Sequence, residues 1–143
     1  MGYKFIEGVS LADIAFEAKG KTLEETFESA ADALTNTMIA KLEMISPKKT
    51  KKIELKAENE EKLLHDFLNE LIFLKDAKIL LFREYKIKIQ KKKNVFVLVA
   101  ELKGEEINQK KHELLVDAKA ISWHMFNLDK NRSGYTAFVI VDV

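Results

Sequence analysis

The run Ser10-Leu11-Ala12-Asp13-Ile14-Ala15-Phe16-Glu17-Ala18-Lys19-Gly20 sets how the chain begins to fold. It alternates as a β-strand requires, with Ile14, Phe16 and Ala18 falling on one face. The spacing predicts a strand anchored in a core by those three side chains, with the Asp13 carboxylate at its entrance, facing solvent or a cation. The final run, Ala137-Phe138-Val139-Ile140-Val141-Asp142-Val143, is also strand-like and ends in a second carboxylate, Asp142, next to the terminus.

Outward from the first strand, Gly20-Lys21 predicts a turn, and Thr22-Leu23-Glu24-Glu25 has the form of a capping box, with acidic residues at the positive end of the helix dipole. Leu23, Phe27, Ala30, Ala31, Leu34 and Met38 keep helical spacing up to about Lys41. Ser46-Pro47 and Lys48 to Lys52 read as an exposed connection, and Ile53, Leu55 and Ala57 as a short strand near an edge. Asn59 is placed to cap a second helix, Glu60 to about Leu74, whose broad apolar surface predicts burial between other elements. Lys75 to Lys78 reads as a turn. Ile79 to Gln90 and Val95 to Leu102 read as an antiparallel hairpin, and Gly104 to Lys111 as a surface loop. Apolar residues on both faces of the run from Leu114 to Leu128 predict an interior strand, and Asp129 to Gly134 predicts a turn into the last strand. Two helices and six or seven mostly hairpin-connected strands define the α+β class, a single domain with helices packed on a mainly antiparallel sheet.

Composition narrows the function. A chain of 143 residues, 47% hydrophobic, suits one core and one domain over residues 1–143. Its 24 basic and 23 acidic side chains leave a net charge of +1, so no global field draws in nucleic acid or a membrane. Cysteine is absent, which excludes disulfides and thiolate metal sites. With no signal-peptide pattern or apolar span, the expectation is a soluble, cytoplasmic protein without membrane partners. The lysine runs at 48–52, 91–93 and 110–111 would make a phosphate-binding face if they converged, but such runs ordinarily solvate loops and blunt sheet edges. No aromatics interleave with them as single-strand binding would want.

The chemistry-bearing candidates are few. Asp13 and Asp142, with the terminal carboxylate of Val143, would suit a hard divalent cation if the two strands were neighbours; ordinary solvated strand-end aspartates are the commoner case. His124, in Ser122-Trp123-His124, could act as an acid, base or ligand, although a half-buried core histidine is commoner. His65 falls on the second helix, and His112 reads as exposed. No His-Glu-x-x-His, phosphate loop or nucleophile elbow occurs, so an enzyme is poorly supported.

Several stretches together resemble the archease family: Gly20 to Glu28 with Ala30-Ala31, Leu68 to Asp76, Lys111-His112-Glu113 with Val116, Lys119-Ala120-Ile121 and Trp123-His124, and Val141-Asp142-Val143. Order and spacing match over nearly the whole chain. The resemblance implies a protein cofactor of the RtcB-type RNA ligase of tRNA splicing, promoting ligase guanylylation and turnover, with RNA met only through the ligase. It implies a metal site at Asp13, Asp142 and Val143, for calcium, magnesium or manganese. The family has His-Thr before its Ala-Asp pair; here the positions are Ser10 and Leu11. Alternatives to the ligase cofactor are a general chaperone-like or interaction module, which predicts exposed apolar surface, and a metal-dependent enzyme, which requires His124 or Glu17 close to the carboxylates.

Overall fold

The computed structural model describes residues 2–8 and 13–143; Val9 to Ala12, including Ser10 and Leu11, lie outside the described residues. Thr22 caps α1 (Leu23–Met38): its hydroxyl accepts the Glu25 amide at 3.1 Å, and Glu25 Oε2 accepts the Lys21 amide at 2.8 Å. Replacing Thr22 with alanine is expected to cost about 1 kcal/mol, a fall in Tm of about 3 °C in thermal denaturation followed by circular dichroism. Asn59 caps α2 (Glu60–Lys78) in the same way, accepting the Lys62 amide at 2.8 Å.

Eight strands occur among the described residues. β1 (Gly2–Ile6), β2 (Asp13–Gly20), β8 (Gly134–Asp142) and β6 (Ala120–Ile121) lie side by side in that order, with β7 (Asn127–Asn131) also paired to β8. A second sheet has the order β3 (Lys49–Ala57), β5 (Val95–Glu106), β4 (Leu80–Lys92). Every pairing is antiparallel. Both helices touch both sheets, and Phe27 of α1 meets Phe67 of α2 with ring centroids 5.6 Å apart. One core therefore runs through the middle, with Phe16, Phe27, Leu34, Phe67, Leu98 and Leu102 fully buried. The α+β class, two helices with mainly antiparallel sheet, stands as expected, and β3 is an edge strand as read. No helix of the described residues is long and apolar enough to cross a membrane.

Several boundaries differ, each for a physical reason. α2 continues through Lys75 to Lys78 because no glycine or proline interrupts it; it ends at Ile79, held at φ 58, whose amide bonds back to the Leu74 and Lys75 carbonyls. Lys49 to Lys52 belong to β3, paired to the end of β5, and are not an open connection. Gly104 to Glu106 likewise extend β5. Gly104 faces a bulge at Phe82/Glu84 of β4, where a Cβ would lie 1.8 Å from the Leu81 carbonyl oxygen, so only glycine fits so close to the neighbouring strand. Gly134, at φ +135, opens β8 against the Gly20 carbonyl, where a Cβ would meet oxygen at 2.2 Å. The interior strand expected over Leu114 to Leu128 is absent: only Ala120–Ile121 and Leu128 and its neighbours pair as strand. The remainder is fixed by irregular bonds such as Leu115 N to Met38 O at 2.8 Å and Phe126 N to Trp123 O at 3.1 Å.

Candidate functional site

β2 and β8 are direct neighbours, and their register sets Asp13 opposite Asp142. Residues opposite one another on antiparallel strands project to the same face, here the face away from Phe16 and Val141 in the core. Both aspartates are half-exposed. Ala120 of β6 lies on the far side of Asp142, and Ala15 and Ile140 form the next pair on that face of β2 and β8. These described strand neighbours are uncharged, and among the described residues neither carboxylate has an ion-pair or hydrogen-bond partner. Val143 follows, half-buried against the core.

Two like charges placed opposite each other repel, and a hard divalent cation is the natural neutraliser, since it takes oxygen donors and completes its shell with carbonyls and water. The donors here are oxygens alone, which suits calcium, magnesium or manganese over zinc or copper. Among the described residues no group of three or more histidine, aspartate or glutamate side chains comes together at metal-binding spacing. The donor chemistry fits a hard cation, to which the two side chains would supply two ligands.

α2 places the segment that borders this pair. Asn69 Oδ1 accepts the Ile121 amide at 3.2 Å, and its amide nitrogen reaches His65 Nδ1 at 3.0 Å. Lys75, buried at the far end of the helix, binds Asp117 and donates to the Ala118 carbonyl at 2.9 Å. Lys119 and Ser122 then donate backbone bonds to the Asp142 and Ile140 carbonyls at 2.8 and 3.0 Å. Trp123 lies flat on His65, with centroids 3.7 Å apart, and burial pushes the His65 imidazole below its ordinary pKa against the opposing effect of the Ile121 backbone. Beyond Trp123 the chain turns through Met125 at φ 58.

His124 sits in that turn and is exposed, with only its backbone amide engaged, on Ser122 Oγ at 3.0 Å. The expected half-buried strand histidine is corrected accordingly: the stacking of Trp123 on His65, not strand alternation, fixes the local path. Glu17 is no closer to a joint role. It lies four residues along β2 from Asp13, about 13 Å at a strand's rise, and pairs with Lys4 at 3.9 Å and Lys19 at 3.6 Å.

A polar cluster unexpected from the sequence lies elsewhere. His112 is 1% exposed, not a surface residue. Its Nε2 donates to Glu105 Oε2 at 2.9 Å while Nδ1 accepts the Asn108 amide at 3.0 Å. Lys111 Nζ and the Ser46 amide also donate to Glu105, at 2.7 and 2.8 Å. Burial raises the Glu105 carboxyl, but the bonds from Lys111, Ser46 and His112 together outweigh it and hold the group down at about 2. Both ring nitrogens of His112 are occupied, so the cluster ties the end of β5 to the following loop and offers no free base. The spacing Glu105, Lys111, His112 was visible, but nothing local marked the strand as long enough to bury it.

The geometry defines a small α+β protein that presents a pair of carboxylates where its first long strand meets its last. Residues 3–143 match the archease protein family (MTH1598/TM1083). The chain is 37% identical over 123 residues to the protein archease of Thermococcus kodakarensis, covering 86% of each. It is 35% identical over 133 residues to that of Methanosarcina barkeri, covering 92% of this chain and 90% of the other. A solution structure of Methanobacterium thermoautotrophicum protein 1598 superposes with a TM-score of 0.86 at 33% identity, over 99% of both chains. This chain belongs to the archease family.

Proposed function

We propose that this protein is a cytoplasmic cofactor of an RtcB-type RNA ligase of tRNA splicing, promoting ligase guanylylation and repeated turnover, and is not itself an enzyme. The observation that carries the reading is the register of Asp13 on Asp142, which brings together the two residues that the family resemblance assigns to its functional site. Asp13 and Asp142, with the carboxylate at Val143, would hold calcium, magnesium or manganese. Bound there, a divalent ion supplies positive charge that orients or neutralises the phosphates of the ligase's nucleotide. The protein's own part is to fix the carboxylates on adjacent strands so that they reach a partner together. Trp123, 57% exposed, and Met125, 56% exposed, follow the segment that borders Asp142 and give a partner apolar surface to bury.

The deciding measurement is ligase guanylylation with and without this protein, then with Asp13→Ala. Stimulation is expected, reduced by the substitution at least about tenfold, the low end of what altering even the outer shell of a metal site costs. No stimulation by the unaltered protein overturns the reading; stimulation that survives Asp13→Ala moves the function away from the carboxylates. The same exposed apolar side chains also favour a general chaperone-like module, which predicts protection of many unrelated clients.

A further inference from the structure

The lysine runs do not converge as whole runs, yet the strand register gathers alternate lysines onto one surface. Lys48, Lys49 and Lys111 are committed to Glu105 and Glu106 at the end of the three-stranded sheet. On the outer face of that sheet, turned away from the helices, β3 contributes Lys52 and Lys56, and β4 contributes Lys86, Lys88 and Lys92. All of them are exposed, and among the described residues none has an ion-pair partner. Between the two rows runs β5, which turns outward Val95, Val97 and Val99, two of them among the exposed large apolar side chains at 37% and 49%, and then Glu101 and Lys103. Glu54, Glu84 and Glu101 share the face, and Glu101 is within 4.0 Å of Lys103, so the field above the valines is positive while the whole chain carries only +1.

We infer that this face binds the phosphate backbone of an RNA strand directly. The two lysine rows stand about 10 Å apart, twice the interstrand spacing; along the strands Lys86 and Lys88 stand about 7 Å apart, and Lys52 and Lys56, like Lys88 and Lys92, about 13 Å apart. A polyanion laid along β5 would meet ammonium groups on both sides and aliphatic surface beneath. A protein partner is the poorer match: the face carries no tryptophan, tyrosine or arginine to anchor one, and lysine is depleted in protein interfaces. With valines in place of aromatics the face stacks no bases, so it reads charge and not sequence. The choice of RNA among polyanions rests on the ligase-cofactor reading; the charged face does not.

The RNA titrations use this protein alone, so that their failure leaves the guanylylation result untouched, and ligase binding of the same variants is measured beside them. Fluorescence anisotropy with a short labelled RNA strand of mixed sequence is followed against salt. Neutralising about five phosphates at roughly 0.7 counterions each predicts an affinity that falls about a hundredfold between 50 and 200 mM salt. The double substitution Lys86→Glu and Lys88→Glu is expected to weaken binding at least about tenfold and to flatten the salt slope, with little change for base sequence. Lys41→Glu with Lys110→Glu, exposed lysines off this face, serves as the control and is expected to bind nearly as well as the unaltered protein. No binding at low salt overturns the inference, as does equal weakening by the control pair. RNA binding that survives the Lys86/Lys88 change while ligase binding falls would make the face a protein-docking surface and overturn it too.

Discussion

Replacing Glu105 with alanine is expected to destabilise the protein by about 2–4 kcal/mol at neutral pH, because the buried His112 Nε2 and the part-buried Ser46 amide lose their acceptor and an unsatisfied buried donor costs about 1–3 kcal/mol. The side chains of Lys111 and Lys48 are 30% and 70% exposed and recover much of their solvation, so they add little. The carboxyl also sets a pH dependence. Its folded pKa, about 2, lies below the ordinary 4.5, so its contribution is complete above the ordinary value, shrinks as pH falls, and is gone once the folded group protonates. Urea unfolding at a series of pH values should show the unaltered protein losing stability through that acid window. A Glu105→Gln variant should lack this part of the slope, so that the gap between the two proteins narrows with acidification. A gap that stays constant from neutral to strongly acid pH would contradict the assigned ion pair.

What the sequence made legible was local. Thr22 and Asn59 announced both helices because a cap and the apolar stripe behind it are read within a few residues, and Leu23 to Met38 buried as spaced. The β4–β5 hairpin was readable for the same reason, although its ends ran further than the apolar alternation that marked them. Non-local pairing was not legible. Nothing in Ser10 to Gly20 states which strand lies beside it, and the Asp13–Asp142 register became an expectation only through family resemblance. Trp123, Met125 and Phe126 mimicked a two-faced interior strand because one aromatic stacks on His65 and another turns into the core, while the backbone between them makes no ladder. His112 reads as exposed because its burial depends on Glu105, and Glu105 falls within the polar run from Gly104 to Lys111, which reads as a surface loop. That glycine marks a tight approach at a bulge.

The opposed carboxylates of β2 and β8 predict stability changes of opposite sign with and without a divalent ion. In a chelating buffer, Asp13→Asn removes a repulsion between directly facing like charges and is expected to raise stability by about 0.5 kcal/mol, a Tm gain of roughly 1–2 °C. Asp142→Asn should do the same. The double substitution should add little to either single change, because one neutral side chain already abolishes the repulsion and facing residues couple. With calcium at about one hundred times its dissociation constant, binding to the folded state alone is worth about 2.7 kcal/mol, so the unaltered protein should melt roughly 8 °C higher. Neither asparagine variant should follow it, since each has lost one of the two carboxylates that make the donor set suit a hard cation. The order of melting temperatures therefore inverts between chelator and calcium. A melting point indifferent to calcium, magnesium and manganese would remove the metal from the site. A loss of stability on Asp13→Asn in chelator would show that the carboxylate has a favourable partner in the protein, and that the bare repulsion drawn from the strand register does not operate.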